Sequence, residues 1–517
     1  MNIPQMIILI IYVLIMLGIG YWSMKKTKNI GDFFLGGRSL GPWMSAFAYG
    51  TTYFSAVLFI GYAGKLGWGF GIHTMWIVIG NTLVGTLLAW MVLAGRTREM
   101  TTKLNAITMP EFLSVRYNSK VLQILSAIVI FIFLVPYSAS VMMGLSYLFE
   151  MTLKLNYTYT VIFLTILTGV YLMMGGYFAV AVSDFIRGII EFLGVMIMVY
   201  LLAGKVGGFS HATSTLMSDP SMAPGLLKSA VLGTGMLSVT IPGWVTLLSL
   251  VLITSFGPWS LPQMVQKFYS IRSQMDIKRA MIIASIFALF MSFGAYYSGA
   301  LTHMFYGAKL PLELMGPKGP IFDKIMPHFI TTVGLPEVLV VIVVLMVFSA
   351  SMSSLSSLVL VSSSAIAVDV YGAFVDRHAN QKSTMSLMRI LCGIFVGLTL
   401  YIALIKPTFI VNLMVISWST LAGVFLAPYI YGLFWRRTTL PGVFAGIFAG
   451  LACAIILFMA WGSNGVPLAG AITMFLPMIV VPIVSLMTKP MSAEHIEKVF
   501  SKDETAVEAS TGGFESI

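Results

Sequence analysis

The sequence predicts an all-α membrane protein of about thirteen transmembrane helices. Three observations predict it. Of 517 residues, 58% are hydrophobic and only 9% charged. Apolar runs of spanning length recur along the chain, and basic residues gather in alternate connections between them. A soluble protein of this size needs far more polar residues to cover its surface, so the excess apolar surface must face lipid. No hydrophilic insertion is long enough to fold separately. Residues 1–488 therefore read as one membrane domain, with 489–517 as a short, polar, disordered cytoplasmic tail.

A spanning helix needs about 20 mostly apolar residues. Such runs centre near residues 14, 54, 84, 134, 166, 194, 254, 290, 347, 396, 420, 449 and 478. The first, residues 3–24, has no basic segment ahead of it and no small-residue cleavage site behind it. Lys25, Lys26 and Lys28 follow it instead. That pattern reads as a retained helix with its N-terminus outside. Alternating from there, the cytoplasmic side receives Arg38, Arg96, Arg98, Lys103, Arg116, Lys120, Lys267, Arg272, Lys278, Arg279, Arg436 and Arg437, among others. The outer side keeps a sparser set, including Lys65, Lys154, Lys309 and Lys406. The imbalance places the chain in the plasma (inner) membrane with a cytoplasmic C-terminus.

Composition excludes several functions. The net charge of +11 is dispersed over short loops, which argues against a nucleic-acid surface. Cys392 and Cys453 both lie in apolar runs, and the six histidines have no metal-ligand spacing. No phosphate loop is present for an ATP-driven motor. A membrane-integral enzyme would need convergent His, Asp or Glu residues, which the scattered histidines do not supply. A channel would need a continuous polar pore, and a sensor would need a larger appended domain.

The helices themselves are interrupted in two places. The second span reads Ala48-Tyr49-Gly50-Thr51-Thr52-Tyr53-Phe54-Ser55-Ala56, then Gly61, Gly64, Gly67 and Gly69. The seventh reads Thr254-Ser255-Phe256-Gly257-Pro258-Trp259-Ser260-Leu261-Pro262-Gln263. In a membrane, backbone carbonyls freed by a break are tolerated only where they line a protected cavity. Matching breaks in two halves point to an inverted repeat, with bounds near 39–205 and 235–430, and a site at the midplane.

The ninth span carries Ser349-Ala350-Ser351-Met352-Ser353-Ser354-Leu355-Ser356-Ser357. Ala350, Ser353, Ser354 and Ser357 share one helical face. Two readings stand here: close helix packing with hydroxyls bonded to backbone carbonyls, or a sodium site made of hydroxyls and freed carbonyls. Asp184, Arg187 and Glu191 also share a face and should point inward, either as a structural ion-pair ladder or along an ion pathway.

These residues resemble a known family. Gly31-Asp32-Phe33-Phe34-Leu35-Gly36-Gly37-Arg38-Ser39-Leu40-Gly41-Pro42, Gly175-Gly176-Tyr177-Phe178-Ala179-Val180 with Ser183-Asp184, and the ninth-span serines with Ser362-Ser363-Ser364, Asp369 and Tyr371 are similar to the sodium:solute symporter family. The resemblance implies a LeuT-type fold of two inverted five-helix repeats, with one extra helix before them and two after. It implies Na+ as the coupling ion, bound by the carbonyls of Thr51, Phe54 and Ala350 and the hydroxyls of Ser353 and Ser354. Asp184 falls where the family carries an acidic residue linked to sodium release. The family's proline carriers have an aspartate in the broken second span where this chain has Tyr53, and aromatics in the seventh where it has Thr254 and Pro258. Tyr137 and Pro262 do match those carriers. Candidate substrate contacts are Thr51, Thr52, Tyr137, Trp259 and Gln263. The expectation is symport of a small organic solute by alternating access, with proton coupling as the alternative. The bilayer and the solute are the only partners expected, and no obligatory protein partner is evident.

Overall fold

The computed structural model describes residues 3–24, 38–234, 238–317, 319–375 and 381–501. Residues 31–37 of the first family-like motif, Gly31–Pro42, and the lysines at 25, 26 and 28 lie outside them. So do the side chains of 175–179.

Among the described residues, nine helices are long and apolar enough to cross a membrane. Several of the apolar runs are joined into longer helices. The runs near 449 and 478 stay two helices, which together cover Leu440–Met487 and are divided at Gly462, whose φ is +57°. Only glycine takes that conformation without strain from a side chain. Outside the helices are two short antiparallel hairpins, Ser229–Leu232 with Val239–Pro242 and Met315–Gly316 with Gly319–Pro320.

The elements that build the site are α1 (Ile3–Met24), α2 (Pro42–Tyr53), α3 (Lys120–Leu153), α4 (Tyr157–Lys205), α5 (Gly243–Phe256), α6 (Pro262–Ser270), α7 (Gln274–Ala300), α8 (Glu337–Ser364) and α9 (Ile410–Phe434). Helices α2 and α8 lie at the centre. All of α2 from Ser45 onward is buried, as is α8 from Met346 to Ser364. A helix buried all round has no polar face to show solvent, so its hydroxyls must bond to their own backbone or to a neighbour.

Within the expected disordered tail of 489–517, the described part, 489–501, is ordered; residues 502–517 lie outside the described residues. Residues Ala493–Phe500 form a helix, α10, capped by the Ser492 hydroxyl on the His495 amide. Val499 and Phe500 are buried, and the Phe500 ring faces the guanidinium groups of Arg96, Arg116 and Arg436 at 5.0–5.5 Å. His495 Nε2 lies 3.0 Å from the Arg116 carbonyl. Two apolar residues and three cation–π contacts give this segment an energetic reason to dock. Polar composition alone concealed it.

Candidate functional site

Helix α2 starts on Pro42, whose missing amide hydrogen costs nothing at a first turn. It stops at Tyr53. Phe54 is extended (φ −107°, ψ 117°), and helical structure resumes in a π-type segment at Val57–Tyr62. The Ser55 side chain accepts from the Val57 amide at 3.2 Å, capping the restart. The extended residue takes the amides of Ser55 and Ala56 away from the carbonyls of Thr51 and Thr52, their partners in a continuous helix.

Those two carbonyls are met from α8. The Ser354 hydroxyl lies 3.1 Å from the Thr51 oxygen and 3.2 Å from the Thr52 oxygen. One hydroxyl hydrogen cannot fully satisfy two acceptors. Three oxygens thus converge in a buried place with a single proton among them. That donor set suits a hard cation. Next to it, Ser353 Oγ donates to Asp184 Oδ1 at 2.6 Å and lies 2.7 Å from the Thr51 hydroxyl oxygen. One turn on, Ser357 Oγ is 3.0 Å from Thr52 Oγ1.

The α8 serines divide by role. Ser351 and Ser356 bond back to the carbonyls of Val347 and Met352, each at 2.6 Å, as packing alone would have them do. Ser353, Ser354 and Ser357 cross to α2 and α4. Ala350 is buried on the same face.

Asp184, Arg187 and Glu191 are all fully buried, and Arg187 Nη1 lies 3.6 Å from Asp184 Oδ1. Lys267, read from sequence as a loop charge, is instead wholly buried on α6, and its Nζ donates to Ser357 Oγ at 3.1 Å. Lys65 is half-buried, bonded to Asn412 Oδ1 at 3.0 Å. Lys267 was misread because charge was taken as a mark of solvent. A charged side chain in a membrane protein also settles in the interior where polar partners wait.

The second interruption also forms. Helix α5 ends at Phe256, a 3₁₀ turn spans Gly257–Trp259, and α6 begins at Pro262. The Tyr53 hydroxyl donates to the Thr254 carbonyl at 2.6 Å and so joins the two broken spans. Gly85 permits this approach: a Cβ there would lie 2.5 Å from the Tyr53 oxygen.

Beside the two breaks is a small cavity lined by Tyr53, Ser55, Tyr62, Asn81, Tyr296 and Trp418, among others. The candidate substrate contacts are not gathered there. Thr52 turns to Ser357. Tyr137 is buried edge-on against Trp418, with ring centroids 5.7 Å apart. Trp259 Nε1 donates to the Val84 carbonyl at 2.9 Å. Gln263 is buried in α6. Sequence reasoning missed Asn81, Tyr62, Tyr296 and Trp418, whose only signal was a polar or aromatic residue in an apolar run.

The sequence profile of the sodium:solute symporter family matches residues 33–450. Two proline transporters of Bacillus subtilis are similar over most of their length. The high-affinity transporter PutP is 30% identical over 456 residues, 87% of this chain and 90% of that one. The osmoregulated transporter OpuE is 28% identical over 504 residues, 95% and 96% of the two chains. The sodium/proline symporter of Escherichia coli is 27% identical over 474 residues, 89% of each chain. Among solved structures, a Na+-coupled sialic acid symporter in a substrate-bound outward-open state aligns with a TM-score of 0.74 at 18% identity, covering 95% of this chain and 99% of that one. Mhp1, a nucleobase-cation-symport-1 family transporter, aligns at 0.53 with 13% identity, covering 91% and 99%. The architecture is that of LeuT-fold transporters.

Proposed function

The chain belongs to the sodium:solute symporter family, and on that premise we propose that its coupling site is the junction of α2 and α8. It is a multi-pass plasma-membrane protein, a secondary transporter of a small molecule and not an enzyme. Sodium is the coupling ion in this reading. It is held by the carbonyls of Thr51, Phe54 and Ala350 and the hydroxyls of Ser353 and Ser354, and Asp184 guides its release toward the cytoplasm. The single observation that carries the reading is the Ser354 hydroxyl set between the two carbonyls that the break at Phe54 frees.

The mechanism follows from what the ion would join. Helix α2 belongs to one half of the chain and α8 to the other, in inverted repeats bounded near 39–205 and 235–430. A cation between them ties the halves together and favours one state of an alternating-access cycle. Solute binds in the cavity beside the same break, so its affinity and that of sodium rise together by the same factor. Each sodium ion moving inward with its charge gains about 2.3 kcal/mol per 100 mV of membrane potential. The N-terminus lies outside and the C-terminus in the cytoplasm.

The solute is a small zwitterion or carboxylate. The relatives named for proline support that size class. Tyr53, bonded to Thr254 at the cavity wall, gives this chain a neutral wall where the proline carriers place an aspartate. The test is thermal stabilisation of the purified protein by amino acids, carboxylates, vitamins and sugars, in sodium and in choline at fixed pH. A solute that stabilises only with sodium supports symport. Equal stabilisation in choline, with a dependence on pH, would favour proton coupling.

A further inference from the structure

Five aromatic residues line the small cavity beside the breaks. They are Tyr53 and Phe54 at the end of α2, Tyr62 where the second span resumes, Tyr296 on α7 and Trp418 on α9. All five are buried. The Tyr53 and Trp418 rings lie 5.8 Å apart at 32°, and those of Tyr62 and Tyr296 lie 6.4 Å apart at 83°. Rings brought from separate spans at such different inclinations can surround a compact cation with π-electron density. Among the described residues that line the cavity, none is charged.

An ammonium that carries N–H groups needs acceptors once it leaves water. Tyr53 stands where the proline carriers place an aspartate, and its hydroxyl is already given to the Thr254 carbonyl at 2.6 Å. An N–H group would find no carboxylate in this lining, and a single amide oxygen without a partner, Asn81 Oδ1. A fully alkylated nitrogen has no N–H to satisfy, and its charged methyl groups are what aromatic faces attract. Donors for a carboxylate, in contrast, are present. The Trp418 indole N–H and the Tyr62 hydroxyl are buried in the same lining with no hydrogen-bond partner among the described residues. Such groups cost free energy until something meets them.

We propose that the solute is a zwitterion whose nitrogen is fully methylated, a betaine-type quaternary ammonium carboxylate. Its ammonium lies among the five rings and its carboxylate accepts from Trp418 and Tyr62. The inference rests on the reading of this cavity as the solute site of a sodium symporter. Rings that serve only to pack helices would favour the smallest member of an N-methyl series, since each added methyl must be accommodated.

The test is solute-dependent thermal stabilisation of the purified full-length chain in nanodiscs, in sodium. The solutes are glycine, its N-methyl, N,N-dimethyl and N,N,N-trimethyl derivatives, and proline. Potassium replaces sodium in the paired control, because choline is itself a quaternary ammonium. The half-maximal concentration is expected to fall with each methyl, by at least about tenfold from glycine to the trimethyl compound, with proline weaker than the latter. Trp418→Phe, which keeps a ring, should keep that order, and Tyr62→Phe should weaken every member alike. A flat or reversed order in wild type, tighter binding of proline, or no response to any member would overturn the quaternary-ammonium site. Equal stabilisation by the trimethyl compound in potassium would overturn sodium coupling and leave the aromatic site standing.

Discussion

The Tyr53 hydroxyl donates to the Thr254 carbonyl at 2.6 Å, so the last helical residue before one break is bonded to the strand of backbone entering the other. Both groups are buried, so the Thr254 carbonyl loses its donor when the Tyr53 hydroxyl is removed. Tyr53→Phe is expected to cost about 1–3 kcal/mol through the unmet acceptor. Thermal unfolding in nanodiscs checks it. The melting temperature should fall, while the sodium concentration for half-maximal stabilisation changes less than it does in a variant of the sodium ligands.

Asp184 is buried 3.6 Å from Arg187, and its donor Ser353 shares the α8 face with Ser357, which accepts from the buried Lys267. Asp184→Asn removes the carboxylate and leaves two buried cations less well balanced. Removing one partner of a buried pair costs about 3–5 kcal/mol. Protein abundance in the membrane should therefore drop sharply. Asp184→Asn with Arg187→Gln should recover part of the loss, since the second change removes the excess charge. Quantitative blotting of both variants checks the order.

Asp323 lies in the segment between two spans. It accepts from the Ile410 amide at 3.2 Å, at the start of α9. Burial pushes its carboxyl up to about 6, against the pull of that amide and of Lys65. In the unfolded chain it titrates near 4. Between about pH 4 and 6 the folded protein holds a proton that the unfolded one has released, so this residue's contribution to stability is lost as pH rises through that window. The total is about 3 kcal/mol. Asp323→Asn should flatten that part of the curve of melting temperature against pH, measured beside wild type.

Phe500 anchors α10 under three arginines. Phe500→Ala should free the helix without harming the membrane core, because the docked segment is short and peripheral. Limited trypsin digestion should then cut after Lys498 about tenfold faster, in keeping with a local opening. The melting temperature of the membrane domain should stay within a degree or two of wild type.

Much of this was legible in the sequence, for physical reasons that differ from residue to residue. The break at Phe54 announced itself through Gly50, Ser55 and the threonines, residues that help a buried helix only where it must stop. The face of Ser353, Ser354 and Ser357 followed from helical spacing, which survives any fold. Lys267 did not. Seen in sequence, a lysine after an apolar run reads as a loop residue, and only the packing of α6 against α8 reveals it as interior. The cavity was hidden for a related reason. Asn81, Tyr296 and Trp418 come from spans far apart in the chain, and a helix buried all round carries no periodicity to say which face meets a solute. The docked tail helix was concealed because its large apolar residues are only Ile496, Val499 and Phe500, too few to stand out from a polar stretch.

The central claim is that the junction of α2 and α8 binds the coupling ion, and Ser354 is its most exposed test. The measurement is sodium-dependent thermal stabilisation of purified wild type and Ser354→Ala across a sodium titration at constant ionic strength. Loss of one of a few oxygen ligands should raise the half-maximal sodium concentration at least about tenfold, or about 1.4 kcal/mol. The unliganded melting temperature should fall by only a few degrees, since a single shared hydroxyl hydrogen bond is lost. A variant with the wild-type sodium dependence would contradict the account.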